Sequence, residues 1–106
     1  MKELNDNNFK DEIAKEELVL VDFYATWCMP CSMQAEVLDK ISKSRAANFN
    51  IVKVNVDNAP LTSMEYGIQS IPTMVVFKGN RVVKKIVGYT EENEILSVMD
   101  EFLEKI

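Results

Sequence analysis

Histidine is absent from this 106-residue sequence, and cysteine occurs only twice, as Cys28 and Cys31. A single chain with this composition cannot complete the usual tetrahedral Cys/His set of a structural zinc site. Glycine and proline number three each and stand at isolated points. Because the sequence has no linker, repeat or low-complexity tract, we expect residues 1–106 to form a single domain.

Apolar runs long enough to span a bilayer are also missing. The N-terminal segment MKELNDNNFKDE lacks the apolar core of a secretory signal, so we expect a cytoplasmic protein without membrane contact. Structural disulfides are rare in that compartment. The net charge of −5 argues against a general nucleic-acid-binding protein, and we interpret it first as a solubility feature.

Hydrophobic periodicity predicts five strands and four helices in the order β-α-β-α-β-α-β-β-α. Asn7 or Asn8 is predicted to cap the first helix and Thr90 the last, where Glu91 and Glu92 suit the positive helix end. The predicted strands are residues 2–4, 19–24, 51–57, 73–77 and 82–87, and the middle helices are about 28–45 and 60–66; the first helix carries Phe9, Ile13 and Ala14, and the last carries Ile95, Met99 and Phe102.

This element order predicts an α/β fold, with a central mixed sheet of four or five strands flanked on both faces by about four helices. The first part of the sheet is predicted to be parallel, and a turn at residues 78–81 closes it with an antiparallel hairpin. In the second helix, Ala35, Leu38 and Ile41 supply the apolar stripe.

The spacing of Cys28 and Cys31 leaves several interpretations open. Two chains could share a zinc ion, although one chain alone has too few ligands. A structural disulfide would close almost no loop and would constrain the unfolded chain little. The pair could also be two buried thiols that fill the core, or a redox pair.

The position of the pair favours the redox interpretation, because it follows a buried strand and opens a helix. A Cys28 thiolate would face unpaired N–H groups and the positive end of the helix dipole, both of which favour the thiolate. Cys31 lies one turn further and can attack a mixed disulfide formed by Cys28. Pro30 suits the first helical turn, and Trp27 offers an aromatic surface unless it simply packs in the core.

Three segments carry a resemblance to a known family. Val21–Cys31 (VDFYATWCMPC) resembles the thioredoxin signature, Val52–Asp57 resembles the family's central strand, and Tyr66–Thr73 (YGIQSIPT) resembles its cis-proline segment. Gly88 matches the glycine that follows the hairpin. The resemblance covers essentially the whole chain and implies the thioredoxin fold and the reduction of protein disulfides through a transient mixed disulfide.

The resemblance also implies a role for individual residues. Cys28 would be the attacking thiol and Cys31 the resolving thiol. Asp22 would be a buried acid with a raised pKa that exchanges a proton during resolution, and Lys53 its neighbour; on residue type alone they could be a partly exposed acid and a solvated lysine. Asp57 would orient aromatic side chains, or simply form a turn. The implied substrate-binding residues are Trp27, Met29, Pro30, Ile71, Pro72 and Gly88, with a cis bond before Pro72.

The implied partners are a thioredoxin reductase, linked to NADPH or to ferredoxin, and client proteins with disulfides. No cofactor beyond the Cys28–Cys31 dithiol is implied, and we expect a monomer. An oxidant or isomerase with the same fold is a rival interpretation, but such proteins usually work in oxidising compartments. A non-catalytic binding module is another, and the presence of both cysteines, Asp22 and Pro72 counts against it.

The sequence departs from the family pattern at four positions; at one of them Ser70 stands where many members carry glycine or a small residue, and we expect no large effect. Met29 replaces glycine between the cysteines, Ser32 replaces a basic residue that often follows the pair, and Glu36 replaces a helix-kinking proline. Without that proline we expect a straighter helix, because its missing N–H and ring clash cause the kink. Met29 adds bulk without charge, so we expect it to select among partners rather than to change the redox potential.

We predict that Met29→Gly broadens the range of client proteins while leaving the redox potential nearly unchanged. Turnover with a panel of protein disulfides and a redox titration against glutathione measure the two effects. A potential shift of several tens of millivolts, which is on the order of 1 kcal/mol or more for a two-electron couple, would contradict this interpretation.

Overall fold

A computed structural model describes residues 1–45 and 49–103. Over these ranges the chain forms five strands and four helices in the predicted order. The strands are β1 (Lys2–Leu4), β2 (Leu18–Tyr24), β3 (Asn50–Asn55), β4 (Thr73–Lys78) and β5 (Arg81–Val87), and the helices are α1 (Phe9–Ala14), α2 (Met29–Arg45), α3 (Pro60–Glu65) and α4 (Glu92–Phe102).

The five strands form one mixed sheet in the order β1-β3-β2-β4-β5. Strands β1, β3 and β2 run parallel, whereas β4 is antiparallel to both β2 and β5. Strand β2 is therefore central, with β3 on one side and β4 on the other. The predicted mixed α/β sheet, parallel in its first part and closed by an antiparallel hairpin, is confirmed.

Helices cover both faces of the sheet. On one face, α1 and the α3 region pack against alternate residues of β2, where the rings of Phe9, Phe23, Tyr66 and Phe77 meet with centroids 5.2–6.4 Å apart. On the other face, side chains of α2 and α4 bury the remaining residues of β2 and β4; this cluster includes Leu20, Leu38, Ile41, Met74, Val76, Ile95 and Met99. Burial on both faces explains why six of the seven residues of β2 are buried.

The buried stripe of α2 differs from the predicted one at its first residue. Gln34 is fully buried on the same side as Leu38 and Ile41, whereas Ala35 is only half-buried. A stripe beginning at Gln34 follows the four-then-three spacing of a helix more closely than one beginning at Ala35. The helix continues through Glu36, and its straightness there stays a prediction.

Two predicted helix caps and the end of one strand also differ from the sequence-based expectation. Thr90 does not cap α4: Glu91 occupies that position without a side-chain capping bond, and the Thr90 hydroxyl donates to Gly88 O instead. Strand β3 ends at Asn55, two residues early, because the Asn55 side chain accepts from the N–H of Asp57 and forms a turn. Asn8 does precede α1, but its side chain accepts from Asn5 N–H rather than from the helix.

The β4–β5 hairpin has the predicted two-residue turn. Gly79 and Asn80 both have positive φ, at 57° and 69°. Two successive residues with positive φ match the twist of the flanking strands, and glycine and asparagine accept this conformation at the least cost.

We predict that Phe9→Ala lowers the free energy of unfolding by about 3–5 kcal/mol, because it leaves a cavity among the rings that join α1 to the sheet. Urea denaturation measures the change. Leu61→Ala is the matched control: Leu61 is exposed on α3, so its truncation should change stability by no more than about 0.5 kcal/mol. A similar loss in both variants would contradict the assignment of Phe9 to the core.

Candidate active site

Cys28 and Cys31 form a disulfide at the junction between β2 and α2, with Cα atoms 5.2 Å apart. The central strand ends at Tyr24, and a short turn carries the chain to Cys28, which immediately precedes the first residue of the helix. Cys28 is 7% exposed and Cys31 only 2%. Cys28 is therefore the more exposed residue of the pair.

The first turn of α2 directs one main-chain donor at the Cys28 sulfur and another at the Cys28 carbonyl oxygen. The N–H of Cys31 points at Cys28 Sγ over 3.3 Å, and the N–H of Ser32 donates to Cys28 O over 3.2 Å. Pro30 occupies the second helical position, where a missing N–H costs nothing. After reduction, the N–H of Cys31 and the positive end of the helix dipole would both stabilise a Cys28 thiolate.

The Ile71–Pro72 segment lies against the disulfide, and its peptide bond is cis. Ile71 O is 3.8 Å from Cys28 Sγ, a contact rather than a hydrogen bond because a disulfide sulfur carries no proton. Gly88 donates its N–H to Pro72 O over 2.8 Å. Gly88 has a φ of +90° with open space around its Cα, so the backbone angle rather than crowding requires glycine here.

Trp27 lies on the surface, with 71% of its area exposed. Its indole N–H donates to Asp57 Oδ2 over 2.8 Å. Core packing is therefore wrong as an interpretation of Trp27, and a hydrogen bond to Asp57 holds its ring at the surface. Met29 is 73% exposed and Met33 is also exposed, so the first turns of α2 present uncharged, apolar side chains to solvent.

Asp22 is 1% exposed, in the central strand, on the face covered by α2 and α4. Burial raises the pKa of its carboxyl to about 7, and the nearby positive charge of Lys53 opposes the shift. No group of the described residues donates a hydrogen bond to Asp22 Oδ1. An uncompensated oxygen in a dry site disfavours the ionised carboxylate, so Asp22 titrates near neutral pH.

Lys53 lies directly opposite Asp22 in the β2–β3 pairing. Its ammonium is 5.6 Å from the centre of the Tyr24 ring, and the Tyr24 hydroxyl donates to Glu3 on β1. Burial and the Glu3 carboxylate raise the pKa of Tyr24 to about 12, which keeps it protonated. Lys53 is thus half-buried among an acid and an aromatic ring rather than fully solvated.

One buried polar contact close to this site was not predicted from the sequence. The Gln34 amide bonds to both main-chain groups of Thr90, with Nε2 3.1 Å from Thr90 O and Oε1 2.8 Å from Thr90 N. The signal in the sequence is a polar residue at a core position of the helix, in line with Leu38 and Ile41.

Metal-binding clusters and membrane-spanning helices are both absent from the described parts of the chain. No cluster of three His, Cys, Asp or Glu side chains there is close enough to hold a metal ion. Within the same residues no helix combines the length and the apolar character that crossing a bilayer requires.

Comparison with known proteins decides between the interpretations of this site. A family model described as Thioredoxin matches residues 1–101. The chain belongs to the thioredoxin family. It is 41% identical over 101 residues to a thioredoxin of Alicyclobacillus acidocaldarius, covering 95% of this chain and 96% of the relative. It is 42% identical over 103 residues to a thioredoxin of Listeria monocytogenes, covering 97% and 99%.

A solved structure supports the same assignment. A point mutant of a thioredoxin from Halobacterium salinarum superposes with a TM-score of 0.90 at 26% identity, covering 99% of this chain and 92% of that one. The thioredoxin fold expected from the sequence is confirmed. Family membership, together with the Cys28–Cys31 pair, makes this protein a thiol–disulfide oxidoreductase.

Asp22→Asn tests the buried acid through the pH dependence of stability. As pH rises from about 4 to 7, the unfolded chain loses the Asp22 proton first, so ionisation favours unfolding until both states are ionised. We predict that, as pH rises from about 4 to about 8, the free energy of unfolding of the variant increases by roughly 3–4 kcal/mol relative to that of the wild type. Urea denaturation of both oxidised proteins measures this difference, and a pH-independent difference would contradict the raised pKa.

Proposed function

We propose that this thioredoxin reduces disulfides of client proteins, with Cys28 as the attacking thiol and Cys31 as the resolving thiol. The observation that carries the proposal is the position of the pair: Cys28 lies at the N-terminus of α2, is more exposed than Cys31, and its Sγ faces the N–H of Cys31. An attacking thiol must be accessible and ionised, whereas a resolving thiol must be shielded from outside disulfides.

In the first step, the Cys28 thiolate attacks one sulfur of a client disulfide. A bond forms between Cys28 Sγ and that sulfur, the client S–S bond breaks, and the departing client thiolate takes a proton from solvent. Helix α2 favours the thiolate form of Cys28 through its dipole and the Cys31 N–H.

In the second step, Cys31 loses its proton and attacks Cys28 Sγ. The Cys28–Cys31 bond forms, the mixed disulfide breaks, and the second client thiolate leaves and is protonated. We propose that ionised Asp22 accepts the Cys31 proton, since a pKa of about 7 suits an acid that must work in both directions at neutral pH. Lys53 favours the ionised form of Asp22. The client gains two electrons, and a reductase returns two electrons to the Cys28–Cys31 disulfide.

We propose that clients bind across the exposed surface around Cys28. Trp27, held by Asp57, and Met29 supply apolar contact, and Pro30 shapes the first helical turn beneath them. The main chain around the cis peptide would pair with an extended client segment, in the manner of strand addition. The rim that would receive this segment consists of Ile71, Pro72 and Gly88.

We also propose the domain organisation, the oligomeric state, the compartment and the redox partner of this thioredoxin. Residues 1–106 form one domain, and the protein acts as a monomer in the cytoplasm without a cofactor beyond its own dithiol. Its redox partner is a thioredoxin reductase linked to NADPH or to ferredoxin. An oxidant or isomerase would use the same cysteines, so the redox potential separates these roles.

Reduction of insulin by dithiothreitol tests the proposed reaction. We expect the wild type to accelerate the reduction and Cys28→Ser to abolish the acceleration, because the attacking sulfur is removed. Ser32→Ala, a neighbouring exposed change, is the matched control and should retain full activity. Acceleration that survives in Cys28→Ser would contradict the assignment, and none in the wild type would favour a binding module.

Cys31→Ser tests the division of labour between the two thiols. Without a resolving thiol, the mixed disulfide with Cys28 should accumulate and be detectable by non-reducing electrophoresis and mass spectrometry. The double variant lacking both cysteines should trap nothing. Equal trapping by Cys28→Ser and Cys31→Ser would show that the two sulfurs are interchangeable.

A further inference from the structure

Gln34 is a fully buried polar side chain in a position where the rest of the helix buries apolar groups. It lies three residues after Cys31, on the same side of α2, because residues three apart are neighbours on a helix surface. Its amide donates to Thr90 O over 3.1 Å and accepts from Thr90 N over 2.8 Å. We call this pair of bonds the Gln34–Thr90 clamp.

Burial of the Gln34 amide carries a desolvation cost that an apolar side chain at this position would avoid. Burying an amide is unfavourable without partners, and an apolar residue of similar size would fill the same space without that requirement. A satisfied buried polar contact, in contrast, fixes one arrangement of the two segments that it joins. Thr90 is also buried, so loss of the amide would leave main-chain groups unpaired where water has little access.

Two hydrogen bonds lead from the clamp to Pro72, and a sulfur–oxygen contact completes the path to the cysteines. The Thr90 hydroxyl donates to Gly88 O over 3.1 Å, and Gly88 N–H donates to Pro72 O over 2.8 Å. The residue before Pro72, Ile71, has its carbonyl oxygen 3.8 Å from Cys28 Sγ. A continuous path therefore leads from α2 through the segment after β5 to the cis-proline segment and back to the disulfide.

We propose that Gln34 is a positioning residue that holds the rim of Ile71, Pro72 and Gly88 at a fixed distance from Cys28. The inference rests on the proposed function, since it assigns this rim to client binding. The hydrogen bonds of the Gln34 side chain go to Thr90 and not to the reacting sulfurs, so its proposed effect passes through Thr90. Its effect should appear with clients that contact the rim and disappear with disulfides too small to reach it.

Two substrates separate these effects. A folded protein client must dock on the rim before its disulfide reaches Cys28, and a shift of the rim by about 1 Å can slow such an oriented reaction by one to two orders of magnitude. Hydroxyethyl disulfide needs no docking surface, so its reaction reports the nucleophilicity of Cys28 alone. The ratio of the two second-order rate constants therefore isolates the positioning effect from general destabilisation.

The decisive variant is Gln34→Met, which keeps the length of the side chain and removes both hydrogen bonds. We expect its rate constant with insulin to fall about tenfold and its rate constant with hydroxyethyl disulfide to change less than about twofold. Leu38→Ala is the matched control, one turn further along the same buried stripe. It should be less stable than the wild type, while its ratio of the two rate constants stays within about twofold of the wild-type ratio.

Thr90→Val provides an independent test, because it removes only the hydroxyl link to Gly88 and leaves the clamp in place. It should lower the insulin rate about threefold without affecting the small disulfide, and it decides the matter if Gln34→Met does not fold. The proposal would be overturned if both variants kept the wild-type ratio of the insulin and hydroxyethyl disulfide rate constants. It would also be overturned if both rate constants fell by the same factor. Failure of the wild type itself to reduce insulin would instead overturn the proposed function.

Discussion

Strand β2 is paired on both edges and covered on both faces, and the positions of the site residues depend on that enclosure. Its end delivers the chain to the start of α2, which places Cys28 beside helical N–H groups. The same enclosure excludes water from Asp22, which lies within β2 a short distance before the cysteines. One strand thus creates both the environment that favours a thiolate and the environment that disfavours a carboxylate.

These two environments are complementary rather than independent. The positive end of α2 stabilises negative charge on sulfur, whereas the dry interior destabilises it on the Asp22 carboxyl. The positive charge of Lys53 limits the rise in the pKa of Asp22, because it lowers the pKa that burial raises. The acid therefore titrates close to neutral pH, where a proton can move in either direction at little cost.

Much of this arrangement was predictable from the sequence. Alternation, helical spacing and turn residues located all nine elements, and the junction of a buried strand with a helix identified Cys28 and Cys31. The misses involve polar side chains whose partners are distant in sequence or differ from the expected helix N–H. Gln34 binds a residue 56 positions away, and Thr90 bonds to Gly88 rather than to a helix N–H. Local propensity describes a residue's own segment and cannot identify such partners.

The polar contacts that were not predicted and the exposed Met29 side chain both concern the proposed binding of clients. The reactivity of Cys28 follows from the junction of β2 and α2. This junction is a local feature, so a short sequence motif can indicate it. In the proposed function, client selection depends instead on how exposed Met29 and Trp27 are arranged relative to the cis-proline segment, which belongs to another part of the chain. Apolar side chains give contact with little directionality, so the orientation of a client must come from a rigid main-chain rim. In the proposed function, the buried Gln34 amide that ties this rim to α2 is an element through which client binding can change while the cysteine chemistry stays the same.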